Sequence, residues 1–323
     1  MQAILAVTVP FFALVLCGYL AAQRRVLPEA AIPGLNAFVL FFALPCMLFR
    51  FGASMPFAQL INPSLIAVYA LCALLVVFFT IAVTLRRAES QKGVDMKNAA
   101  FGALVAAFPN SGFMGVPLLV ALLGERAAGP VIGTVLVDLF LTSSLCIALA
   151  QAADASKGGA VWRSLRGAMS NPLPWAIGLG AALAASGQQL PAPIAQIIKM
   201  LGDAATPVAL FTIGAVLWRA GQHVHTRTPL PQYLPVALIK LFVHPLLVLS
   251  VGLLLRAAGA PVPEFGLSVL MLAAALPSAS NVSLLAERYG ADNGRVARII
   301  MASTVLAFVT FSLLAWGLGI QAN

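Results

Sequence analysis

Two short stretches of the chain place prolines and small polar residues inside otherwise apolar segments. Ala106–Leu119 reads AAFPNSGFMGVPLL, and the second stretch begins at Leu276 and reads LPSASNVS. Each proline removes a backbone hydrogen-bond donor and clashes with the preceding turn, so each stretch predicts a broken helix. Free N–H groups at the start of a half-helix, with neutral hydroxyl and amide donors beside them, suit a small carboxylate. The sequence therefore predicts an anion-binding site built from both breaks.

The candidate substrate ligands are the short residues that follow the two prolines. The breaks are at Pro109 and Pro277, and the candidate ligands are Asn110, Ser111, Gly112, Ser278, Ser280 and Asn281. Alternatively, the prolines only kink their helices, and the serines and asparagines join neighbouring helices by hydrogen bonds. Two breaks in matching positions of the chain favour a transport site over two unrelated kinks.

Two further prolines and two charged residues are candidates for supporting roles. Pro45 and Pro207 could form the facing wall of a cavity, or could be ordinary helix kinks. Asp138 and Lys240 each lie near the middle of an apolar segment, where a charge is costly. They could pair and carry or gate a proton, or could form an ion pair that only joins two helices.

The composition places these segments in a membrane. Hydrophobic residues make up 61% of the 323 residues and charged residues only 9%, whereas roughly a quarter of a soluble domain is charged. The net charge of +9 comes from short connections between apolar segments, so membrane topology explains it better than a nucleic-acid partner. The four cysteines lie in apolar segments without the spacing of metal ligands, and the sequence predicts neither a metal nor another cofactor.

Ten apolar segments are close to the length of about 20 residues that crosses a bilayer. The predicted spans are 3–22, 33–51, 63–85, 97–123, 129–150, 171–186, 193–218, 231–256, 264–289 and 295–318. The fourth and the ninth contain the breaks. The predicted fold class is therefore an all-α membrane protein with ten transmembrane helices.

The basic residues predict how the chain is oriented. Most of the 19 lysines and arginines fall in connections on one side of the membrane, which the positive-inside rule makes the cytoplasmic side. Both termini then lie outside a bacterial inner membrane, and residues 151–170 form a cytoplasmic connector. The sequence leaves the oligomeric state open, with a homodimer as one candidate.

Landmark residues recur at a nearly constant separation, which predicts an internal repeat. Pro45 and Pro207 are 162 residues apart, and Pro109 and Pro277 are 168 apart. Residues 1–150 and 171–323 would each hold five spans. Because five is odd, the second half must enter the membrane from the opposite side. Inverted repeats of this kind are typical of secondary transporters.

The motifs resemble those of the auxin efflux carrier family over essentially the whole chain. They are NAFVLFFALPCMLF in the second span, FPNSGFMGVPLL in the fourth, ATPVALFTIGAVL in the seventh and LPSASNVSLLAERYG in the ninth. The resemblance implies a bile-acid/sodium symporter-type fold, with a scaffold of spans 1, 2, 6 and 7 and a moving core of spans 3–5 and 8–10. It also implies that the substrate lies beside the crossing of the two broken helices, at Asn110, Ser111, Ser280 and Asn281. The ninth-span pattern is similar to that of family members identified as malonate carriers.

These features predict a secondary transporter of small organic anions, namely mono- or dicarboxylates such as malonate. Elevator-like alternating access at the helix crossover would move the anion across the lipid bilayer. The alternative is a membrane-embedded ligand sensor or a channel that uses the same cavity. The sequence does not predict an enzyme, since neither an HExxH nor a GxSxG motif occurs.

Overall fold

The computed structural model of the chain describes residues 1–90, 94–152, 162, 166, 169–222 and 228–320. Most of the predicted connector 151–170 therefore lies outside the described residues. Within the described ranges the fold is all-α. Apart from a single turn at Phe57–Leu60, the helices are α1 Gln2–Gln23, α2 Glu29–Ser54, α3 Pro63–Ser90, α4 Met96–Ala107, α5 Ser111–Leu123, α6 Glu125–Ala152, α7 Pro172–Ser186, α8 Ala192–Gln222, α9 Leu230–Ala257, α10 Glu264–Ala274, α11 Val282–Arg288 and α12 Asn293–Gly317.

Seven of these helices are long and apolar enough to cross a membrane, and three shorter helices are also apolar. The seven are α1, α2, α3, α6, α8, α9 and α12, and the three are α5, α7 and α10. This confirms a helical protein with several membrane spans. The other predicted spans are shorter because the fourth and ninth are each split at their prolines, while α7 has only 15 residues. At 1.5 Å per residue, α7 rises about 22 Å, less than the bilayer core of about 30 Å.

Four helices contain one wider π-helical turn, and in three of them a proline explains its position. The turns are Val39–Ala43, Ser111–Gly115, Asp138–Thr142 and Ile239–Val243. The first, second and fourth each end two residues before a proline. Because proline offers no N–H to the carbonyl one turn earlier, the local hydrogen-bond ladder is rearranged there. Pro207, in contrast, lies inside the uninterrupted helix α8.

Helices α1 and α8 approach each other closely through two glycines. A Cβ atom added to Gly18 of α1 would overlap the carbonyl oxygen of Phe211, and one added to Gly214 of α8 would overlap that of Val15. Small residues let two membrane helices bring their backbones into contact, which increases the dispersion attraction between them.

Helices α2 and α7 meet in the same reciprocal way. Gly52 of α2 lies against the carbonyl oxygen of Ile177, and Gly180 of α7 lies against that of Phe49. The two glycine pairs therefore hold together two helix pairs, α1 with α8 and α2 with α7.

A buried arginine ties three other helices together. Arg295 at the start of α12 is 2% exposed. Its Nε donates to the carbonyl of Gln232 in α9 at 2.9 Å, and its Nη1 donates to the carbonyl of Asn98 in α4 at 2.8 Å. Gly102 of α4 leaves the space that the guanidinium fills, since a Cβ there would lie 2.7 Å from Nη1. Helices α4, α9 and α12 are thus joined at one end of the molecule.

Candidate functional site

The two broken segments lie directly against each other in the interior of the protein. The backbone N–H of Asn110 donates to the carbonyl of Pro277 at 2.8 Å, and the N–H of Ala279 donates to the carbonyl of Phe108 at 3.0 Å. These two bonds form an isolated antiparallel bridge between Pro109 and Ser278. We call this pair of segments, 108–113 and 277–281, the crossover.

Four backbone N–H groups of the crossover donate to no acceptor among the described residues. They belong to Gly112 and Phe113 in the first segment and to Ser280 and Asn281 in the second. The two pairs are 168 residues apart, the same separation as the two prolines. Phe113 and Ser280 are buried, and buried N–H groups are rarely left without an acceptor, so these positions indicate a place where another polar group can bind.

Several side chains of the crossover also lack hydrogen-bond partners within the described chain. The hydroxyls of Ser111 and Ser278 are buried and unpartnered, as is Oδ1 of Asn281. Each buried polar group without a partner costs about 1–3 kcal/mol. A polar ligand that supplied the missing partners would recover part of that cost.

A cavity of about 1040 Å³ leads from one end of the molecule to the crossover. Its inner end is lined by Phe108, Phe113 and Asn281 of the crossover, together with Leu139 of α6. Its wall on the other side comes from α2, through Asn36, Leu40 and Phe41.

The cavity follows the length of two helices. On α6 it is lined by Leu139, Ser143, Ile147 and Gln151, which are spaced four residues apart and so share one helical face. The rise of 1.5 Å per residue makes this wall about 18 Å long. On α11 the lining residues include Asn281, just before the helix, Leu284 and Arg288, again on one face. The cavity is therefore a deep shaft with the crossover at its inner end.

The outer end of the shaft is basic. Lys97, Arg166 and Arg288 line it, and the described lining residues include no aspartate or glutamate. This is also the side to which the sequence assigns most of the basic residues. A shaft with cationic groups at its mouth and free N–H groups at its inner end is suited to a small anion.

Comparison with known proteins shows which family the chain belongs to. The family model described as "Membrane transport protein" matches residues 3–315 of the chain. The chain belongs to this membrane transport protein family. It is the auxin efflux carrier family that the motifs predicted, so that prediction is confirmed. The protein is a membrane transporter and not an enzyme.

Relatives of this transporter are similar over nearly their whole length. The chain is 29% identical to a protein of Rhizobium meliloti named "Putative malonate transporter", over 96% of this chain and 94% of that one. It is 28% identical to an "Uncharacterized transporter" of Methanothermobacter thermautotrophicus, with 93% of each chain covered. It is 25% identical to the "Uncharacterized transporter YfdV" of Escherichia coli, over 93% of this chain and 92% of that one.

Of the six candidate ligands in the transporter, Asn281 alone lines the described part of the shaft. Asn110, Ser111, Ser278 and Ser280 lie behind it, each 6% exposed or less. Gly112 is partly exposed, and a Cβ there would meet open space. The crossover thus brings all six together, but presents only one of them to the cavity.

Neither predicted wall proline lines the described part of the shaft. Pro207 is exposed on α8, and Pro45 follows the π-turn of α2. The wall comes instead from Leu40 and Phe41, about one turn before Pro45, and from Asn36, about one turn earlier still. Sequence analysis missed Asn36, although a lone asparagine in an apolar span was a signal for it.

Asp138 and Lys240, which the sequence offered as a possible pair, are both fully buried, and each makes its hydrogen bonds to other groups. The carboxylate of Asp138 accepts hydrogen bonds from Tyr69 Oη at 2.9 Å and Thr142 Oγ1 at 3.1 Å. The ammonium of Lys240 donates to the carbonyl oxygen of Ala274. Among the described residues, no ion pair within 4.0 Å joins the two groups. They remain near enough to interact electrostatically.

The position of Lys240 has a physical reason. Ala274 is the last residue of α10, where the helix ends and its carbonyl groups lose their intrahelical partners. The negative end of the helix dipole also favours a cation there. His244 lies one turn further along α9, fully buried against the backbone of Ala106 near the end of α4. Helix α9 therefore contacts the C-terminal ends of both half-helices.

Proposed function

We propose that the protein is a secondary transporter of small organic anions, with mono- or dicarboxylates such as malonate as substrates. The observation that carries this proposal is the shaft, which has three basic side chains at its mouth and ends at the crossover. The described lining residues offer no carboxylate that would repel such a substrate. The name of the Rhizobium meliloti relative supports malonate as the first compound to test.

The substrate carboxylate binds at the inner end of the shaft. The N–H of Phe113 lies in the first turn of α5, where the positive end of the helix dipole favours an anion. The side chain of Asn281 adds an amide donor from the second segment. Phe108 and Phe113 enclose the carbon atoms of the substrate with apolar surface. The other crossover residues, Asn110, Ser111, Gly112, Ser278 and Ser280, become accessible as the site turns toward the opposite side.

Transport occurs by alternating access in a fold of ten spans arranged as an inverted repeat. The scaffold consists of α1, α2, α7 and α8, and the moving core contains the other helices. The two scaffold glycine pairs support this arrangement. Gly18 and Gly180 are 162 residues apart, and so are Gly52 and Gly214. The repeat thus relates α1 to α7 and α2 to α8, so that the contact of α1 with α8 corresponds to the contact of α7 with α2.

The contact between the scaffold and the core would allow the core to slide past the scaffold. Helix α1 meets α12 through the rings of Phe12 and Phe308, whose centroids are 5.2 Å apart. Thr8 and Ser312 add one long hydroxyl contact of 3.4 Å. The buried bonds of Arg295, in contrast, lie within the core and hold it as one body.

The mouth of the shaft faces the cytoplasm of a bacterial cell, and both chain termini lie outside the inner membrane. The basic residues at the mouth support this orientation through the positive-inside rule. The structure then represents a state open to the cytoplasm. Asp138, beside Tyr69 and close to the crossover, is the group that couples transport to a proton.

A binding experiment tests the substrate class. Purified protein is titrated with radiolabelled malonate, and unlabelled acetate, succinate and ethylamine compete for the site. We expect the carboxylates to displace malonate and the amine, which carries the opposite charge, not to do so. Equal displacement by the amine, or absence of binding by every carboxylate, would contradict an organic-anion site.

A further inference from the structure

We infer that the mouth of the shaft contains a second anion-binding site, separate from the crossover and formed around Arg288. Its ligand is a carboxylate or another small oxyanion. This inference rests on the proposed function only in taking the substrate to be an anion. The site would be occupied as an anion enters or leaves the shaft.

Distance separates the two sites. Asn281 and Arg288 line the same cavity and lie on the same face of α11. Seven residues separate them, which corresponds to about 10 Å along the helix axis. Malonate, whose two carboxylates are separated by a single carbon atom, is shorter than this axial separation. The two residues therefore branch from the helix at different depths of the shaft.

The surface between the sites is mostly apolar. Its one hydroxyl on α6, that of Ser143, already donates to the carbonyl of Asp138 at 2.8 Å. Leu284 and Leu285 line the shaft between Asn281 and Arg288, and Ile147 lines it on the facing helix α6. An anion has no hydrogen-bond donor among these side chains. The favourable positions for an anion are therefore the two ends of the shaft, which are separated by largely apolar surface.

Three separate parts of the chain supply the cations at the mouth. Lys97 belongs to α4, Arg288 to the end of α11, and Arg166 to the connector. Asn171 and Tyr289 line the same end and can donate further hydrogen bonds. A guanidinium offers a planar fork of donors that matches a carboxylate, so Arg288 is the residue to test.

The charge at the mouth can be measured with a cysteine placed halfway along the shaft. Leu284 is 37% exposed and lies one turn from Asn281 and one turn from Arg288. Leu284→Cys is made in a Cys17→Ser, Cys46→Ser background, since the other two cysteines are buried. The protein is treated in detergent with thiol reagents of equal size and opposite charge.

We expect the anionic reagent to react faster than the cationic one, and Arg288→Gln to reduce this ratio about tenfold. A unit charge within one helical turn has an effect of this order on two reagents of opposite sign. Arg24→Gln, which removes a basic residue outside the described shaft, should leave the ratio unchanged. An unchanged ratio in Arg288→Gln would overturn the second site.

The ligand can then be assigned by competition. Malonate or sulfate added to the lipid-free Leu284→Cys protein should slow the anionic reagent when Asn281→Ala impairs the crossover, and should no longer do so when Arg288→Gln is added to that same variant. If phosphatidylglycerol slows the reagent and neither free anion does, the mouth binds lipid headgroups and our inference is wrong. Loss of malonate binding at the crossover, with protection at the mouth retained, would contradict the proposed function alone.

Discussion

The backbone N–H of Asn110 donates to the carbonyl of Pro277, 2.8 Å away and on the opposite half of the chain. With its counterpart from Ala279 to Phe108, this bond makes the two helix breaks one structural unit. Each break supplies a carbonyl acceptor for a backbone N–H group of the other. Irregular backbone is tolerated at membrane depth when its polar groups are satisfied within the protein in this way. The N–H groups that remain free, at Gly112, Phe113, Ser280 and Asn281, are the donors that we propose for the substrate.

Replacing Asn281 with alanine is expected to weaken carboxylate binding about tenfold or more. Asn281 lines the inner end of the shaft, and a hydrogen bond to a charged group contributes about 1.5–3 kcal/mol. Isothermal titration with malonate measures the change. Asn62→Ala is a matched control, because Asn62 caps the start of α3 at 3.1 Å and does not line the described shaft. Equal affinities for wild type and Asn281→Ala would remove Asn281 from the site.

Asp138→Asn is expected to flatten the pH dependence of substrate uptake. Asparagine has nearly the same shape and can accept one of the two hydrogen bonds from Tyr69 and Thr142, while its NH2 group can donate to the other hydroxyl, but it cannot carry a proton. Initial uptake rates measured from acidic to neutral pH test this. The other titratable groups around Asp138 are Tyr69, Cys146 and Lys240, and His244 lies beside Tyr69 and Lys240.

The control for Asp138→Asn is Thr142→Val, which removes one hydrogen bond and no titratable group. Its rates should be lower or unchanged, with the pH profile retained. If Asp138→Asn keeps the profile of the wild type, Asp138 has a structural role and the proton is carried elsewhere.

Gly214→Ala is expected to destabilise the protein, because its methyl group would overlap the backbone of Val15 across the contact of α1 with α8. Overpacking of this kind typically costs about 1–3 kcal/mol. Thermal unfolding in detergent measures the effect. Gly178→Ala in α7 is the matched control, since a Cβ there meets nothing within 4 Å. Equal melting temperatures for the two variants would mean that α1 and α8 do not pack as closely as described.

Sequence patterns predicted the helices well and the contacts between them poorly. Pro109 and Pro277 were visible as breaks because proline acts on its own helix, and that effect is local. The partner of Lys240 depends on where α10 ends in space, so the sequence suggested Asp138 where the structure has the carbonyl of Ala274. The wall of the shaft was predicted at Pro45 for a similar reason. The packing of α2 on α7 and α8 decides which turn of α2 faces the crossover, and this packing cannot be read from the sequence of α2.

The proposed orientation can be tested at the two ends of α8. Gln188, in the connection before α8, and Gln222, its last residue, are both exposed. In the same Cys17→Ser, Cys46→Ser background, a membrane-impermeant thiol reagent added outside cells should label Gln188→Cys and leave Gln222→Cys unlabelled. Permeabilised cells should show labelling of both variants. The reverse pattern in intact cells would place the mouth of the shaft outside the cytoplasm.

Counterflow in proteoliposomes tests the central claim, that the crossover carries an organic anion across the membrane. Vesicles loaded with unlabelled malonate are diluted into a trace of labelled malonate, and the label inside is followed with time. We expect transient accumulation of label with the wild-type protein and a marked reduction with Asn281→Ala at the same protein density. Binding of malonate without any accumulation would contradict transport at the crossover, because a protein that only senses the anion, or only conducts it down its gradient, gives no counterflow.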